Sequence, residues 1–272
     1  MKSFSLGAFT VRFYVLLFLA FMLLPLIVMG GAGLNDTRFP SIYPWVGFTS
    51  RWFVDLWNDE KMWEAIRNTV FVAVAVVCIS VPIGTAAAIL INGVAPKARS
   101  VLYGFMVAPI LTPGAVIGIS TLLFWNKFHV SAGLHLSILG QVSFIAAYVM
   151  LLVLARLQSF DHGLEEAALD LGASHGQVMR RIMLPHLYPA IGAGALIAFF
   201  QSVENFNITL FTRGNSQTLT VYVGSKIRSG ITPTINALAL LLIVFTVVAA
   251  IGYEIYRRRK QRQLDRMVIA ED

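Results

Sequence analysis

The chain has 272 residues, of which 57% are hydrophobic and only 13% are charged, with a net charge of +7. Soluble domains average about 45–50% apolar and about 25% charged residues, so this chain has too few polar side chains to cover a water-soluble core. The composition therefore excludes an ordinary cytosolic enzyme and a disordered chain, and it predicts a protein whose solvent is lipid. The single cysteine, Cys78, excludes an internal disulfide and any multi-cysteine metal site.

Six apolar stretches follow one another along the chain. Each is close to the ~20 residues that a helix needs to cross a ~30 Å hydrocarbon core. They lie at about 13–31, 69–91, 100–125, 134–155, 187–211 and 236–256. The sequence predicts an all-α integral membrane protein with six spanning helices, forming a single transmembrane domain over residues 1–272. The first stretch could instead be a cleaved signal peptide, although its roughly 18 residues exceed the 7–15 of a typical signal core.

The 21 lysines and arginines are unequally divided between the two sides of such a bundle. Thirteen fall in the connections that share a side with both termini, including the cluster from Arg257 to Lys260, and eight fall in the others. Because cytoplasmic connections carry the excess of positive charge, both termini are predicted to be cytoplasmic. A basic cluster directly after a span is typical of a topology anchor, and no nucleic-acid partner is expected.

The longest cytoplasmic connection, at about 156–186, is predicted to form two short helices around a glycine turn. Asp161 can cap the first helix, and Gly172 permits a sharp turn after it. Ser174, with a glutamine three residues later, has the capping-box pattern of a second helix start. We expect Pro185 to end that second helix before the next span begins.

The first of these short helices has one face of small and apolar side chains. That face contains Leu164, Ala167, Ala168 and Leu171. Because alanine allows another body to approach closely, the face could fit a groove on a partner protein. The alternative is a helix that lies on its own bundle, and the pattern alone leaves both interpretations open.

The spacing in this connection resembles the cytoplasmic loop motif of the permease subunits of binding-protein-dependent ABC importers. The matching positions are Glu166, Ala167, Ala168, Gly172, Ile182, Leu184 and Pro185. The similarity covers most of the chain and is strongest toward the second permease of spermidine/putrescine-type importers, which the segment 230–238 also resembles. This resemblance implies a six-helix permease bundle in a bacterial inner membrane.

The resemblance also implies a coupling role for these positions. In that family the loop forms a helix that docks into a cleft of a cytoplasmic ATPase. Glu166 would make polar contacts there, Ala167 and Ala168 would fit the cleft, and Gly172 would form the turn. The last three matching positions would set how the loop joins the next span.

The partners implied by this family are a second homologous permease, two copies of the ATPase, an external solute-binding protein and membrane lipid. The chain has no Gly-x4-Gly-Lys-Ser/Thr phosphate loop, so ATP and Mg are expected in the partner ATPases. No cofactor, catalytic residue or metal site is therefore expected in this chain. His162, His175 and His186 share the cytoplasmic connection, but their spacing does not match a compact metal-ligand motif.

The fifth apolar stretch contains an unusual density of polar residues. At 100° per residue on one helix, Gln201, Asn205 and Thr209 would form a stripe, with Glu204 about 60° to one side. An acid at mid-membrane costs about 2.5–3.5 kcal/mol on insertion scales, so these side chains are expected to face water or a partner helix. The four residues are thus candidates for a substrate pathway, and interhelical hydrogen bonding is the alternative.

Together these features predict a permease subunit that forms half of a pathway for a small polar solute, with a polyamine as the first candidate. Relatives of the polyamine type often have two adjacent acids where this chain has Glu204 followed by Asn205, so another small solute stays open. A stand-alone ion-coupled transporter would need inverted repeats or midplane ion sites. A membrane-embedded enzyme would need a clustered catalytic set. Neither signature is found in the sequence.

Overall fold

The computed structural model describes the backbone of residues 6–230 and 232–271 and the side chains of 10–230, 232–249 and 251–259. This part of the chain is helical, apart from its loops and an isolated bridge between Asn35 and Phe48. A π-helical turn, Met179–Met183, separates two of the α-helices. The α-helices are α1 (Leu6–Leu34), α2 (Arg51–Trp57), α3 (Glu60–Gly93), α4 (Pro96–Leu111), α5 (Gly114–Asn126), α6 (Leu134–Leu157), α7 (His162–Asp170), α8 (His175–Val178), α9 (Leu184–Val203), α10 (Asn207–Thr212), α11 (Leu219–Ser229) and α12 (Pro233–Glu271).

Five helical stretches in the described residues are long and apolar enough to cross a membrane. They are Thr10–Leu34, Glu60–Gly93, Leu134–Leu157, His175–Val203 and Pro233–Arg259. The pair α4 and α5 is bent by 102° and makes a sixth span only if the two helices are counted together. The predicted all-helical class is confirmed, with five or six candidate spans.

The third apolar stretch, predicted as one span over 100–125, is divided by this sharp bend. Thr112 has an extended backbone, with φ −88° and ψ 130°, and Pro113 follows with ψ 132°. A proline disfavours the helical conformation in the residue before it, so the chain leaves the helix at Thr112. The expected span is therefore not one continuous helix, and the break is sharper than a proline kink.

The fifth apolar stretch, predicted over 187–211, is also interrupted. Its long helix ends at Val203, and the short α10 begins at Asn207. The side-chain Oδ1 of Asn205 accepts hydrogen bonds from the backbone N–H groups of Ile208 (3.2 Å) and Thr209 (3.4 Å). Asn205 thereby satisfies backbone N–H groups in the first turn of α10. The same bonds compete with a continuation of α9.

Pro185 does not end a helix, contrary to the expectation from the sequence. It is exposed in the first turn of α9, within a continuous helical stretch from His175 to Val203. In the preceding π-turn the Leu184 N–H donates to the carbonyl of Met179, five residues back. Proline has no N–H and its ring crowds the carbonyl four residues earlier, and a local π-adjustment can accommodate both effects.

The chain divides into two compact units. In the unit made of residues up to Glu60 and from Ser225 onward, α12 packs against α1 and α2. In the unit Lys61–Gly224, a hydrophobic core forms chiefly between α3, α6 and α9. Its fully buried members include Val72, Val76, Ile91, Ile145, Val149, Met150, Val153 and Leu187. Every predicted coupling and pathway residue belongs to this second unit.

Candidate functional site

The loop at about 156–186, which the sequence predicts to be cytoplasmic, forms two capped helices around a turn. The Oδ1 of Asp161 accepts a hydrogen bond of 2.9 Å from the N–H of Gly163 and caps α7. Ser174 and Gln177 make both bonds of a capping box at the start of α8. Between the helices, Gly172 has a φ of +84°, which a residue with a Cβ rarely adopts. The predicted helix–turn–helix is confirmed.

The apolar face of α7 points away from the protein's own core. Leu171 is 90% exposed and Leu164 is 54% exposed. Glu166 and Ala167 are exposed, and Ala168 is half-buried. Residues three and four apart share one helix face, so this surface is available to a second protein. In the part of the chain that the structure describes, the two leucines of this face are not covered by the protein's own bundle.

The two ends of the loop, which we call its root, pack against the hydrophobic core of the Lys61–Gly224 unit. Ile182 packs against the core cluster, and Leu184 is half-buried at the start of α9. Phe160 is 6% exposed and makes an edge contact with the ring of His186, with 5.4 Å between the ring centres. Arg156 Nε donates to the His186 carbonyl over 3.1 Å. These contacts tie the end of α6 to the start of α9, so a force on the loop acts on both helices.

A cavity of about 290 Å³ lies where the bend between α4 and α5 approaches the break between α9 and α10. Three of the four predicted pathway residues, Gln201, Glu204 and Asn205, line it. The two helix breaks, which were not predicted from the sequence, therefore form the walls of this cavity. We call this space the pathway cavity.

The lining of the pathway cavity combines one carboxylate with aromatic rings and amides. The carboxylate belongs to Glu204, which is exposed, and the rings belong to Phe144, Tyr148 and Phe206. Phe144 and Tyr148 lie edge to face, with their centres 6.0 Å apart. A carboxylate attracts a cation, aromatic faces attract it further, and amide oxygens accept its N–H groups. The cavity is therefore chemically suited to an ammonium group.

Thr209, the fourth predicted pathway residue, does not line the cavity but is fully buried behind it. Its hydroxyl accepts a hydrogen bond of 2.9 Å from Nε2 of Gln141 on α6. Ser202 donates to Oε1 of the same glutamine over 2.6 Å. Gln141 thus bridges the end of α9 and the start of α10. For Thr209, the interhelical hydrogen-bonding alternative is the one the structure supports.

The bent pair is held tightly against α10. A Cβ added to Gly118 would lie 3.0 Å from both the Cα and the carbonyl oxygen of Ile208. A Cβ here would force the two helices apart by a few tenths of an ångström, because the atoms opposite belong to the backbone and cannot rotate away. The walls of the pathway cavity are therefore set by backbone contacts as well as by side chains.

Sequence reasoning missed the aromatic members of the lining. Phe144 and Tyr148 lie in a continuous apolar stretch, where an aromatic residue looks the same whether it packs in a core or lines a path. The prolines at 109 and 113 were the available signal for the bend, but a proline within a span is also compatible with a mild kink.

Comparison with known proteins gives a consistent picture. A family model described as a binding-protein-dependent transport system inner membrane component matches residues 80–262. The chain is 28% identical over 244 residues to the spermidine/putrescine transport system permease protein PotC of Escherichia coli, covering 89% of this chain and 92% of that one. It is 31% identical over 261 residues to the putrescine transport system permease protein PotI of Escherichia coli, covering 92% of each chain.

Solved structures show the same fold. A chain of a bacterial alginate ABC transporter, in complex with an alginate pentasaccharide-bound periplasmic protein, superposes with a TM-score of 0.70 at 20% identity, covering 93% of this chain and 94% of that one. A chain of the MetNI methionine ABC transporter, in an inward-facing conformation, superposes with a TM-score of 0.56 at 20% identity, covering 77% of this chain and 98% of that one.

Proposed function

Because the chain belongs to the family of binding-protein-dependent transport system inner membrane components, we propose that it forms half of a solute pathway that partner ATPases open and close. It is an ABC-importer permease subunit of the inner membrane. Its proposed partners are a second homologous permease, two copies of a cytoplasmic ATPase and an external solute-binding protein. ATP and Mg would bind to the ATPases, and this chain would contribute no catalytic group.

The proposed arrangement has six spans, with the bent pair α4–α5 counted as one and both termini in the cytoplasm. The excess of lysine and arginine on the side of the termini supports this orientation. With six spans, the loop of α7 and α8 lies on the same side as the termini, where a cytoplasmic ATPase could reach it.

The observation that carries the coupling proposal is the capped, rigidly rooted loop with an exposed apolar face. Glu166, Ala167 and Ala168 lie on α7, and Leu171 extends the same surface with 90% of its area exposed. Burial of such a side chain in an ATPase cleft gains about 1.5–3 kcal/mol of hydrophobic free energy. The loop would transmit ATP-driven closure of the ATPases to α6 and α9 through its root.

We expect Leu171→Glu to abolish solute-stimulated ATP hydrolysis and co-purification of the ATPase, because it places a charge in the proposed docking face. An exposed residue can be changed with little effect on folding, so membrane insertion and thermal stability should stay normal. Ala95→Glu, which adds the same charge to an exposed position between α3 and α4, is the matched control. Full stimulation in the Leu171 variant would refute the docking role of this face.

The proposed solute is a small amine of the polyamine class. Two relatives are named as permeases of spermidine/putrescine or putrescine transport systems. The pathway cavity supports the same class through Glu204 and its three aromatic rings. A single carboxylate in this half of the pathway fits one ammonium group, so the second permease would have to recognise the rest of a longer polyamine.

A further inference from the structure

A second cavity lies at the end of the Lys61–Gly224 unit from which the loop at about 156–186, here called the coupling loop, emerges. It has a volume of about 470 Å³ and forms where the C-terminal ends of α3 and α6 meet the first turns of α4. It shares no lining residue with the pathway cavity. The proposed transport function therefore makes no use of it.

Along α6 the lining changes from polar to apolar with depth. Gln158 lies at the end of α6, whereas Leu151 and Leu154 of the same helix lie farther into the span. A rise of 1.5 Å per residue separates Gln158 from Leu151 by about 10 Å along the helix axis. The cavity thus offers polar groups at the membrane boundary and a hydrocarbon surface below them.

Arg99 provides the charge at the polar end, and the end of α3 holds it in place. Its Nε donates to the Ile91 carbonyl over 3.1 Å, and its Nη2 donates to the Asn92 carbonyl over 2.6 Å. The Nη1 amino group has no partner in the described part of the chain, and no carboxylate lines the cavity. The Ser100 and Tyr103 side chains stand on the same helix and also line it. A prepositioned guanidinium with remaining donors is suited to a phosphate group.

We propose that this cavity binds the headgroup of an anionic phospholipid. The phosphate would accept hydrogen bonds from Arg99, and the glycerol and first acyl carbons would lie along Leu151 and Leu154. In the proposed orientation of the chain, the cavity faces the cytoplasmic leaflet, where basic pockets between spans bind such headgroups. A free soluble anion would gain nothing from the apolar depth of the cavity. The bound lipid would also touch Gln158, three residues before Asp161, and so reach the root of the coupling loop.

Native mass spectrometry of the purified full chain can test this site without transport or partner proteins. We expect one molecule of phosphatidylglycerol to bind more tightly than any molecule of phosphatidylcholine. Arg99→Gln should weaken that binding about tenfold, since a hydrogen-bonded charge is lost. Lys97→Gln removes a charge from the same segment at an exposed position outside the cavity, and it should bind phosphatidylglycerol like the unaltered chain.

A second variant, Ala155→Trp, fills the cavity and leaves Arg99 in place, so the proposal stays testable if Arg99→Gln does not fold. It should remove the tight phosphatidylglycerol adduct as well. Equal binding of both lipids, or full phosphatidylglycerol binding by either variant that folds, would overturn the proposal. Inorganic phosphate serves as the soluble probe: if it displaces the lipid at low millimolar concentration and still binds to Ala155→Trp, the cavity is a site for free anions and the lipid assignment is wrong.

Discussion

At the scale of single residues, Glu204 gives the most direct test of the proposed solute pathway. It supplies the carboxylate of the lining, and its exposed side chain has no packing role in the core. We therefore expect Glu204→Gln to lower uptake of spermidine or putrescine at least tenfold, since a hydrogen bond to a charged group is worth about 1.5–3 kcal/mol. Uptake is measured in vesicles that contain the complete importer.

Glu64→Gln is the matched control, because Glu64 is also exposed on a long helix but lies outside the cavity. Assembly with the partner chains should be normal in both variants. If uptake kinetics of the Glu204 variant equal those of the control, the carboxylate is structural and the amine assignment loses its main support.

Gly172 permits a second residue-scale test, because its requirement is purely conformational. No atom lies within 4 Å of a Cβ added there, yet its φ is +84°. A β-branched residue is strongly disfavoured at positive φ, and the left-handed region costs about 1–2 kcal/mol. Gly172→Val should therefore lower the apparent affinity of the ATPase about five- to thirty-fold.

The control for this turn is Gly176→Ala in α8. Gly176 also has open space at the Cβ position but has no positive φ, so alanine should leave coupling intact. The measurement is solute-stimulated ATP hydrolysis as a function of ATPase concentration. Equal curves for the two variants would show that the turn geometry does not matter for docking.

At the scale of single helices, the stability of the short helix α7 depends on the groups at its two ends. Asp161 accepts a backbone hydrogen bond at the helix start, and such a cap contributes about 0.5–2 kcal/mol. Asp161→Ala should speed amide hydrogen exchange across α7. Asp170→Ala removes an acid from the opposite end, where the helix dipole disfavours negative charge, so exchange should slow or stay unchanged. Faster exchange in both variants would mean that the cap is not the cause.

The caps could be predicted from the sequence because they are local. Asp161, Ser174 and Gly172 act within two or three residues of themselves, and the structure places them as the spacing predicts. Pro185 was misjudged because its effect depends on the turn before it. The π-helical turn before Pro185 lets the helix continue although proline has no N–H, and no sequence spacing indicates such a turn.

The break in the fifth apolar stretch involves a distant part of the chain as well as Asn205. Gln141, which is 61 positions from Ser202 and 68 from Thr209, holds the two sides of this break together. A helical wheel assumes a continuous helix, so it placed Thr209 on the same stripe as Gln201. Gln201, Glu204 and Asn205 nevertheless line one cavity, because polar side chains in an apolar stretch need water or a partner wherever the helix ends.

At the scale of the whole unit Lys61–Gly224, two helices connect the sites. The helices α6 and α9 pack along each other, meet the coupling loop at one end and hold the Ser202–Gln141 contact toward the other. The 16 positions from Gln141 to Leu157 correspond to about 24 Å of helix. Under the proposed function, a movement of the loop would reach the wall of the pathway cavity through this packed pair.

The membrane topology of the chain can be tested directly by cysteine labelling. Replacement of the single cysteine, Cys78, by serine leaves a background in which each new cysteine reports its own side of the membrane. Lys97 and Lys127 are both exposed and lie at opposite ends of the bent pair α4–α5, and Gly176 is exposed on the coupling loop.

If the bent pair crosses the membrane, a membrane-impermeant maleimide should label Lys127→Cys in intact spheroplasts. Lys97→Cys and Gly176→Cys should react only after permeabilisation. Labelling of Lys97→Cys together with Lys127→Cys would show that the pair is a re-entrant loop. Labelling of Gly176→Cys from outside would show the reverse orientation, in which a cytoplasmic ATPase could not reach the coupling loop.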